Sequence, residues 1–123
     1  VLMEAILDSS FIVSCMKKKI DFLSELEGQG FRVLLPREVF QELKDLRLKV
    51  KHDERAAIDA AFDLFNLRKV KKMTLGHEVV DRGLIAKGKK GAYIATLDKV
   101  IKREVPNRVV ILEAKNALGV ERD

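Results

Sequence analysis

Two aspartates follow directly on apolar runs that are typical of buried β-strands. Asp8 follows residues 2–7 (LMEAIL), and Asp98 follows residues 92–97 (AYIATL). In open α/β sheets, ligands bind at the carboxyl ends of the strands, near the point where the strand order reverses. We therefore expect both carboxylates to lie at a ligand-binding edge. A predicted helix follows each aspartate, so helix N-capping is an alternative role for either residue.

Two further carboxylates lie on predicted helices. Asp81 shares a helical face with Leu84 and Ile85, which predicts a carboxylate in the inward stripe of its helix. A buried charge is costly, so that position requires a metal ion, dense hydrogen bonding, or an Arg or Lys partner. Glu42 lies about 60° from Val39, on the flank of the apolar stripe of its own helix. By itself Glu42 is typical of a residue at a core boundary.

The four carboxylates together indicate a chemistry that none of them indicates alone. Carboxylates that converge on one cleft repel one another, and hard divalent cations such as Mg²⁺ or Mn²⁺ offset that repulsion. Such an ion can activate a water molecule, orient a phosphodiester and stabilise charge on the attacking and leaving oxygens. Asp8, Glu42, Asp81 and Asp98 are thus candidate ligands of a catalytic metal ion, provided that the fold brings them to one cleft.

The elements that must position these residues alternate between strand and helix. Besides the two strands above, strands are predicted at residues 32–35, 70–73 and 108–112. Apolar residues at helical spacing predict helices at residues 18–27, 54–67, 78–87 and 99–104, and another that begins near Pro36. No linker or repeat divides residues 1–123, so we expect one α/β domain, a three-layer α/β/α arrangement around a mainly parallel sheet.

Composition limits the class of protein and of partner. The 123 residues are 47% hydrophobic and 35% charged, which is ordinary for a globular protein, and the formal net charge of +5 favours an anionic partner. Cys15 is the single cysteine, so we expect a buried thiol without a disulfide, in a reducing, cytoplasmic compartment. The opening run VLMEAIL lacks a basic leader and contains Glu4, so a core strand is expected there and no membrane segment.

Four short motifs resemble those of the PIN-domain nucleases, in the expected order: ILDSS, VFQEL, VVDRGLIAKG and IATLDKVIKR. The likeness is to archaeal stand-alone PIN proteins, and the TLDK segment is similar to the ribosome-biogenesis branch. The resemblance implies a five-stranded parallel sheet in the order 3-2-1-4-5 and cleavage of single-stranded RNA with Mg²⁺ or Mn²⁺. It also implies that the four acids bind the metal and that the hydroxyl of Thr96 orders Asp98. For Ser9 we expect a cap or a hydrogen bond to a metal-site oxygen. Arg82 and Lys87 depart from the smaller, less charged residues that are common in the family.

Two basic clusters follow proposed metal ligands and are expected to contact RNA phosphates. One lies on a single helical face after Asp98 and the other in the loop beyond Asp81; their members are Lys99, Lys102 and Arg103, and Lys87, Lys89 and Lys90. The clusters at residues 17–19 and 68–72 are interpreted as solvated. Trp is absent and Tyr93 falls inside a strand, so the sequence predicts no base-stacking platform. His52 and His77 lack the spacing of zinc ligands and are expected at the surface.

Three functional hypotheses follow. The first is an endoribonuclease, either an RNA-processing enzyme or a toxin-type RNase with an antitoxin partner. The second is a non-cleaving PIN-like module that binds structured RNA during ribosome assembly. The third, a phosphate-handling regulator that uses Asp8 or Asp98 as acceptor, is disfavoured because Asp8 lacks the D-x-D arrangement of aspartyl phosphotransferases. Candidate partners are single-stranded or structured RNA, an antitoxin or a ribosome-assembly protein, and a second copy in a homodimer.

Overall fold

The computed structural model describes residues 3–123 and arranges their strands in one six-stranded sheet. The strands are β1 (Met3–Leu7), β2 (Phe31–Pro36), β3 (Lys71–Met73), β4 (Tyr93–Ala95), β5 (Asn107–Leu112) and β6 (Ala117–Arg122). Their order is β3-β2-β1-β4-β5-β6, with parallel pairing throughout except between β5 and β6. The predicted α/β class and the order 3-2-1-4-5 are confirmed. Leu2, assigned to the first strand from the sequence, lies outside the described residues.

Six helices connect the strands: α1 (Ser9–Lys17), α2 (Phe22–Gly28), α3 (Arg37–Arg47), α4 (His52–Arg68), α5 (Val80–Lys89) and α6 (Lys99–Glu104). The helix predicted from residue 18 begins later, because α1 extends to Lys17 and the side chain of Asp21 then caps a new helix. Gly30, with a φ of 91°, lies just after α2 and allows the chain to turn into β2. None of the helices in residues 3–123 is both long and apolar enough to span a membrane.

Alternating side chains of the sheet form two cores, one on each face. On β1, Ala5 and Leu7 pack with α1 to α4, whereas Ile6 packs on the opposite face with residues of α5 and α6, among them Leu84 and Ile101. This burial on both faces explains why the central strands are apolar runs without polar alternation. The predicted three layers are therefore present, with the sheet and its carboxyl edge between the two helical layers.

Cys15 belongs to the larger core, as expected. Its side chain is buried and unpaired among residues 3–123, and burial, with a smaller contribution from Glu25, raises the pKa of the thiol to about 12. A thiol with such a pKa is protonated at neutral pH and is a poor nucleophile. Cys15 is therefore a packing residue.

Strand β6 was not predicted from the sequence, which gave no element after residue 112. The hairpin is closed at Asn116, whose φ of 51° is a left-handed conformation that Asn tolerates. The outer edge of β6 bonds to α2: the N–H of Leu118 donates to Glu25 Oε1 (2.8 Å), and its carbonyl accepts from Gln29 Nε2 (3.2 Å). The sixth strand adds to the five-stranded arrangement without changing its order.

Candidate functional site

Asp8 lies at the end of β1, where β4 on one side and β2 on the other continue the sheet in opposite directions. Its N–H donates to Ala95 O of β4 (2.9 Å), which extends the β1–β4 pairing by one residue. Its carboxylate accepts from the N–H of Ser9 (2.9 Å) and so caps α1. The side chain is nevertheless only 6% exposed. Asp8 therefore combines the two positions that the sequence left as alternatives: it caps a helix and lies at the carboxyl edge of the sheet.

Thr96 connects the two strand-end aspartates. This residue is buried; its Oγ1 donates to Asp8 Oδ2 (2.6 Å) and accepts from the N–H of Asp98 (3.0 Å). Ser10 makes a second link, because its Oγ accepts from the N–H of Leu97 (3.1 Å) and lies 3.5 Å from Asp8 Oδ2. Thr96 thus holds Asp98 through its backbone amide, as the expected ordering requires. The carboxylate that Thr96 contacts is that of Asp8.

Asp98 and Glu42 reach the same edge from different elements. The Oδ1 atom of Asp98 accepts from the N–H groups of Val100 (2.8 Å) and Ile101 (3.4 Å), which caps α6. Glu42, half-buried on α3, accepts at Oε1 from Ser9 Oγ (3.2 Å). Ser9 therefore contacts two of the acids, through its N–H and its hydroxyl, and its expected hydrogen bond to an acid of the site is present.

Asp81 differs from the expectation of a buried carboxylate: its side chain is exposed. Leu84 is fully buried on the same helical face, whereas Asp81 lies almost one turn earlier, in the first turn of α5, which begins at Val80. The alternative of an Arg or Lys partner is also wrong, since within residues 3–123 no basic group lies within 4.0 Å of Asp81.

The four acids share one electrostatic field. Burial raises the pKa of Asp8, and the charges of Asp81 and Asp98 raise it further, while hydrogen bonds from Thr96 and Ser9 oppose the rise. Burial also raises the pKa of Glu42, with additional contributions from the charges of Asp8 and Asp81. Among the described residues, none of these four carboxylates is in a salt bridge. Their mutual repulsion is therefore not offset by a neighbouring cationic side chain.

The donor types at this edge match a hard divalent cation, since all are carboxylate oxygens. As the side chains stand, however, no three or more His, Cys, Asp or Glu residues within 3–123 form a group that could hold a metal ion. Asp8 and Asp98 direct oxygens at amides and hydroxyls instead, and uncompensated carboxylates favour separation. The set fits a metal ion in chemistry and in charge, without preformed coordination geometry.

Glu38 is a positioning residue that sequence reasoning missed. Both of its carboxylate oxygens accept from the N–H of Leu75 (3.1 and 3.0 Å), and one also accepts from the N–H of Gly76 (3.3 Å). These bonds hold the loop that leads from β3 to α5, and therefore to Asp81. A glutamate in the first turn of a helix is commonly interpreted as a partner of the helix dipole, so the sequence alone gave no sign of this contact.

The two predicted RNA-contacting clusters are placed differently. Lys99 and Arg103 are exposed on α6 beside Asp98, and Lys102 is half-buried. The second cluster is not in a loop: Lys87 and Lys89 lie in the last turn of α5, and Lys90 caps it. The helix extends for about 15 Å, so its lysines lie far along its axis from Asp81. His52 and His77 are both exposed, as expected.

The chain is an α/β/α sandwich whose parallel strands run 3-2-1-4-5, with acids at the carboxyl edge of the sheet. The solved structure of the PIN domain endonuclease Utp24 is similar over 98% of this chain and 92% of its own, with a TM-score of 0.73 and 20% sequence identity. The chain therefore has the PIN-domain fold that its motifs indicated, and at this identity the likeness shows the fold alone. No protein-family model matches the sequence, and comparison with curated proteins also gave no match.

Proposed function

We propose that this chain is a metal-dependent endoribonuclease that cleaves phosphodiester bonds of single-stranded RNA with Mg²⁺ or Mn²⁺. The observation that carries the proposal is the state of Asp8, a carboxylate only 6% exposed and close enough to Asp81 and Asp98 for their charges to raise its pKa. Retaining several acids in one place costs free energy unless a cation joins them. The PIN-domain fold, shared with an endonuclease, supports the same class of reaction.

In this proposal Asp8, Glu42, Asp81 and Asp98 hold the metal ion. When bound, the ion supplies the Lewis acidity that phosphodiester hydrolysis needs. The chain's own contribution is orientation, because Thr96 fixes one oxygen of Asp8 and Ser9 fixes one oxygen of Glu42. Lys99 and Arg103, exposed on the helix that Asp98 caps, bind the phosphates that flank the cleavage site.

The alternative function is that of a PIN-like module that binds RNA in ribosome assembly without cutting it. It is favoured by the lack, among residues 3–123, of a group of side chains already arranged to hold a metal. An acceptor role for Asp8 in phosphate transfer is less favourable, because Asp8 lacks the D-x-D arrangement of aspartyl phosphotransferases. Processing and toxin-type roles with an antitoxin use the same chemistry and differ in partner.

A cleavage assay separates these functions. A labelled single-stranded RNA is incubated with the wild type in Mn²⁺ and in chelator, beside Asp8→Asn and the control Asp53→Asn, which changes an exposed acid in the first turn of α4. We expect Asp8→Asn to lower the cleavage rate by about 100-fold or more, because it removes charge that acts mainly in the transition state. RNA binding should persist. A wild type that binds RNA but cleaves no single strand in Mn²⁺ establishes the binding module instead.

A thermal-shift measurement tests whether exposed Asp81 belongs to the metal site. Asp81→Asn should change the stability in chelator by no more than about 0.5 kcal/mol, as is usual for a surface substitution. It should reduce the rise in Tm that Mn²⁺ produces, because a ligand that binds the folded state more weakly stabilises it less. Asp53→Asn should retain the full rise. An undiminished Mn²⁺ shift in Asp81→Asn would remove Asp81 from the proposed ligand set.

A further inference from the structure

Two aromatic rings that are distant in sequence meet at the surface beside α3. Phe40 of α3 and Phe62 of α4 are both half-buried, with centroids 5.0 Å apart and an interplanar angle of 50°. They line a hollow of about 230 Å³ whose other lining residues are Phe65, Asn66, Lys69, Val70 and Lys72. No pattern in the sequence predicts this pair, since the two rings come together only through the packing of α3 on α4.

The hollow is rimmed by lysines without acidic partners. Lys72 and Lys44 place their Nζ atoms 4.4 and 4.8 Å from the centroid of the Phe40 ring, and Lys69 lines the hollow itself. Within residues 3–123, none of these three lysines is within 4.0 Å of a carboxylate. The lining residues include no Asp or Glu. The positive charge beside the rings is therefore available to an anionic ligand.

The charge continues along the edge of the sheet. A second hollow of about 200 Å³ shares Lys69 and Val70 with the first and adds Arg32 and Lys71, together with Glu27, which is paired with Arg68. Strand β3 ends the sheet on this side, so no further strand of the described chain covers it. Within the basic run 68–72, Arg68 pairs with Glu27 and with Asp21, whereas the lysines have no such partner in the described chain. A basic track thus leads along β3 to the aromatic pair.

Aromatic faces joined to unpaired lysines match single-stranded nucleic acid. The side chains of Lys44 and Lys72 lie over the Phe40 ring, so a base stacks there when these flexible side chains turn to its phosphates. Stacking on aromatic rings beside cations is how many proteins bind single strands without reading their sequence. An acidic peptide would use the charge and leave the rings without a stacking partner. A duplex would keep its base faces stacked on one another. The observations therefore favour an unpaired RNA strand as the occupant.

The hollow and the acidic edge lie on opposite sides of α3. Phe40 and Glu42 lie on the same helix, about 3 Å apart along its axis and on opposite flanks, and the helix with its side chains is about 10 to 12 Å wide. We propose that Phe40 and Phe62, with Lys44, Lys69 and Lys72, form a base-stacking subsite that holds single-stranded RNA on the far side of α3 from the acids. This inference rests on the proposed function for the identity of the ligand as RNA, but it asserts binding, not cleavage.

The test is an anisotropy titration of labelled oligoadenylate in chelator, where no metal-dependent cleavage interferes. Phe40→Leu/Phe62→Leu keeps apolar volume and removes both π-faces, so we expect affinity for oligoadenylate to fall by about 5- to 100-fold. Inorganic polyphosphate, which has no bases, should bind this variant within about 2-fold of the wild type. Lys44→Gln/Lys72→Gln should weaken both ligands. Phe11→Leu removes a fully buried ring that is not among the lining residues and is the control, which should leave both affinities unchanged.

Several outcomes overturn the subsite. One is that a folded Phe40→Leu/Phe62→Leu protein binds oligoadenylate as tightly as the wild type does. Another is that this variant loses affinity equally for oligoadenylate and for polyphosphate. Competition by polyglutamate that depends on the two rings would assign the hollow to an acidic protein. If the double variant does not fold, the fluorescence of a 2-aminopurine oligonucleotide is measured on binding to the wild type. Binding without any quenching of this fluorescence would exclude stacking of the base on the rings. Lack of cleavage in Mn²⁺ with stacking intact would reject the nuclease and retain the subsite.

Discussion

Thr96 is the side chain on which the geometry of the acidic edge depends most directly. Its hydroxyl donates to the carboxylate of Asp8 and accepts from the N–H of Asp98. These two bonds join the end of β1 to the loop that starts α6. Because the hydroxyl is buried, water cannot replace it when it is removed. A residue that could pass for a strand terminus is therefore a positioning residue for two of the proposed ligands.

Thr96→Val tests this role with little change of shape. We expect the free energy of unfolding in chelator to fall by about 1 to 3 kcal/mol, because two buried polar groups lose their partner. Mn²⁺-dependent cleavage should also fall, since Asp8 loses the bond that orients it. Urea melts and the cleavage assay measure the two effects, with Thr74→Val at an exposed position as the control. Unchanged stability and cleavage would show that Thr96 is replaceable.

The raised pKa of Asp8 predicts a pH dependence of stability without metal. Its ordinary pKa is 3.8, and burial followed by the charges of Asp81 and Asp98 raises it in the folded protein. The folded state thus binds this proton more tightly than the unfolded chain does. The contribution of Asp8 to stability is therefore highest below pH 3.8 and is lost as pH rises through the raised value.

Asp8→Asn should remove the loss of stability that accompanies ionisation of Asp8, because Asn stays neutral at all pH values and still caps a helix. In chelator we expect the variant to have a higher Tm than the wild type at pH 7, with the difference shrinking as pH approaches 3.8. Melts across this range, with Asp53→Asn for comparison, measure it. A lower Tm for Asp8→Asn at pH 7 would mean that the hydrogen bonds to the charged form outweigh its burial.

The sequence predicted the positions of the acids in the fold better than it predicted their burial and contacts. Asp8 and Asp98 could be placed because a strand-end position is encoded locally, in an apolar run followed by a helix start. The exposure of Asp81 could not be predicted, since periodicity gives the side of a helix on which a residue lies and not where the helix begins relative to the sheet. Glu38 and the Phe40–Phe62 pair were missed because their contacts join elements that are far apart in the chain.

Among the elements, α5 lies unusually close to its neighbours at Gly88. A Cβ at this position would lie 2.8 Å from Val105 Cβ and 3.1 Å from Ile94 Cγ1, so α5 approaches β4 and the end of α6 only because Gly88 has no side chain. The same helix carries Asp81 in its first turn. Its close packing therefore fixes the position of one proposed ligand.

Gly88→Ala should destabilise the protein by about 1 to 3 kcal/mol through overpacking, even though Ala favours a helix by about 1 kcal/mol. Gly28→Ala is the matched control: nothing lies within 4 Å of a Cβ there, and a gain of about 0.4 to 1 kcal/mol is expected. Adding Val105→Ala to Gly88→Ala should recover part of the loss, since the two residues contact each other. Additive destabilisation in the double variant would contradict this packing argument.

Element types were predictable where periodicity was strong and failed where one element was short or weakly patterned. The helices around Leu43, Leu64 and Leu84 and the central strands follow from their apolar spacing. Strand β6 was missed because only Leu118 of its residues is buried, so its alternation is faint. The start of α2 was misplaced because Ile20 is buried without being helical.

The four acids of the proposed site are without salt-bridge partners in the described chain, whereas elsewhere acidic and basic side chains pair, as in Lys17–Glu54 and Arg47–Asp59. The four acids lie at the carboxyl edge of the sheet, and exposed lysines and arginines lie on α6 and along β3. Repulsion by the acids alone would disfavour RNA at the proposed site. The net charge of +5 and the flanking cations can offset that repulsion and raise the local concentration of RNA.

Whether RNA is bound by particular cations or by net charge alone can be decided by salt dependence. Lys99→Gln/Arg103→Gln removes two exposed charges beside Asp98, and Lys49→Gln/Lys51→Gln removes two exposed charges from the connection between α3 and α4. For direct phosphate contacts on a single strand, the slope of log K against log salt changes by about 0.7 per contact, so the α6 variant should flatten it by about 1.4. Its affinity should fall alike for unrelated sequences.

The connection variant should retain most of the wild-type slope, because charges farther than about 10 Å from the strand are largely screened at 0.1 M salt. Titrations of labelled single strands in chelator at several salt concentrations measure both slopes. Equal slopes for the two variants would mean that α6 makes no specific phosphate contact, and the path of the RNA to the acids would then have to avoid that helix.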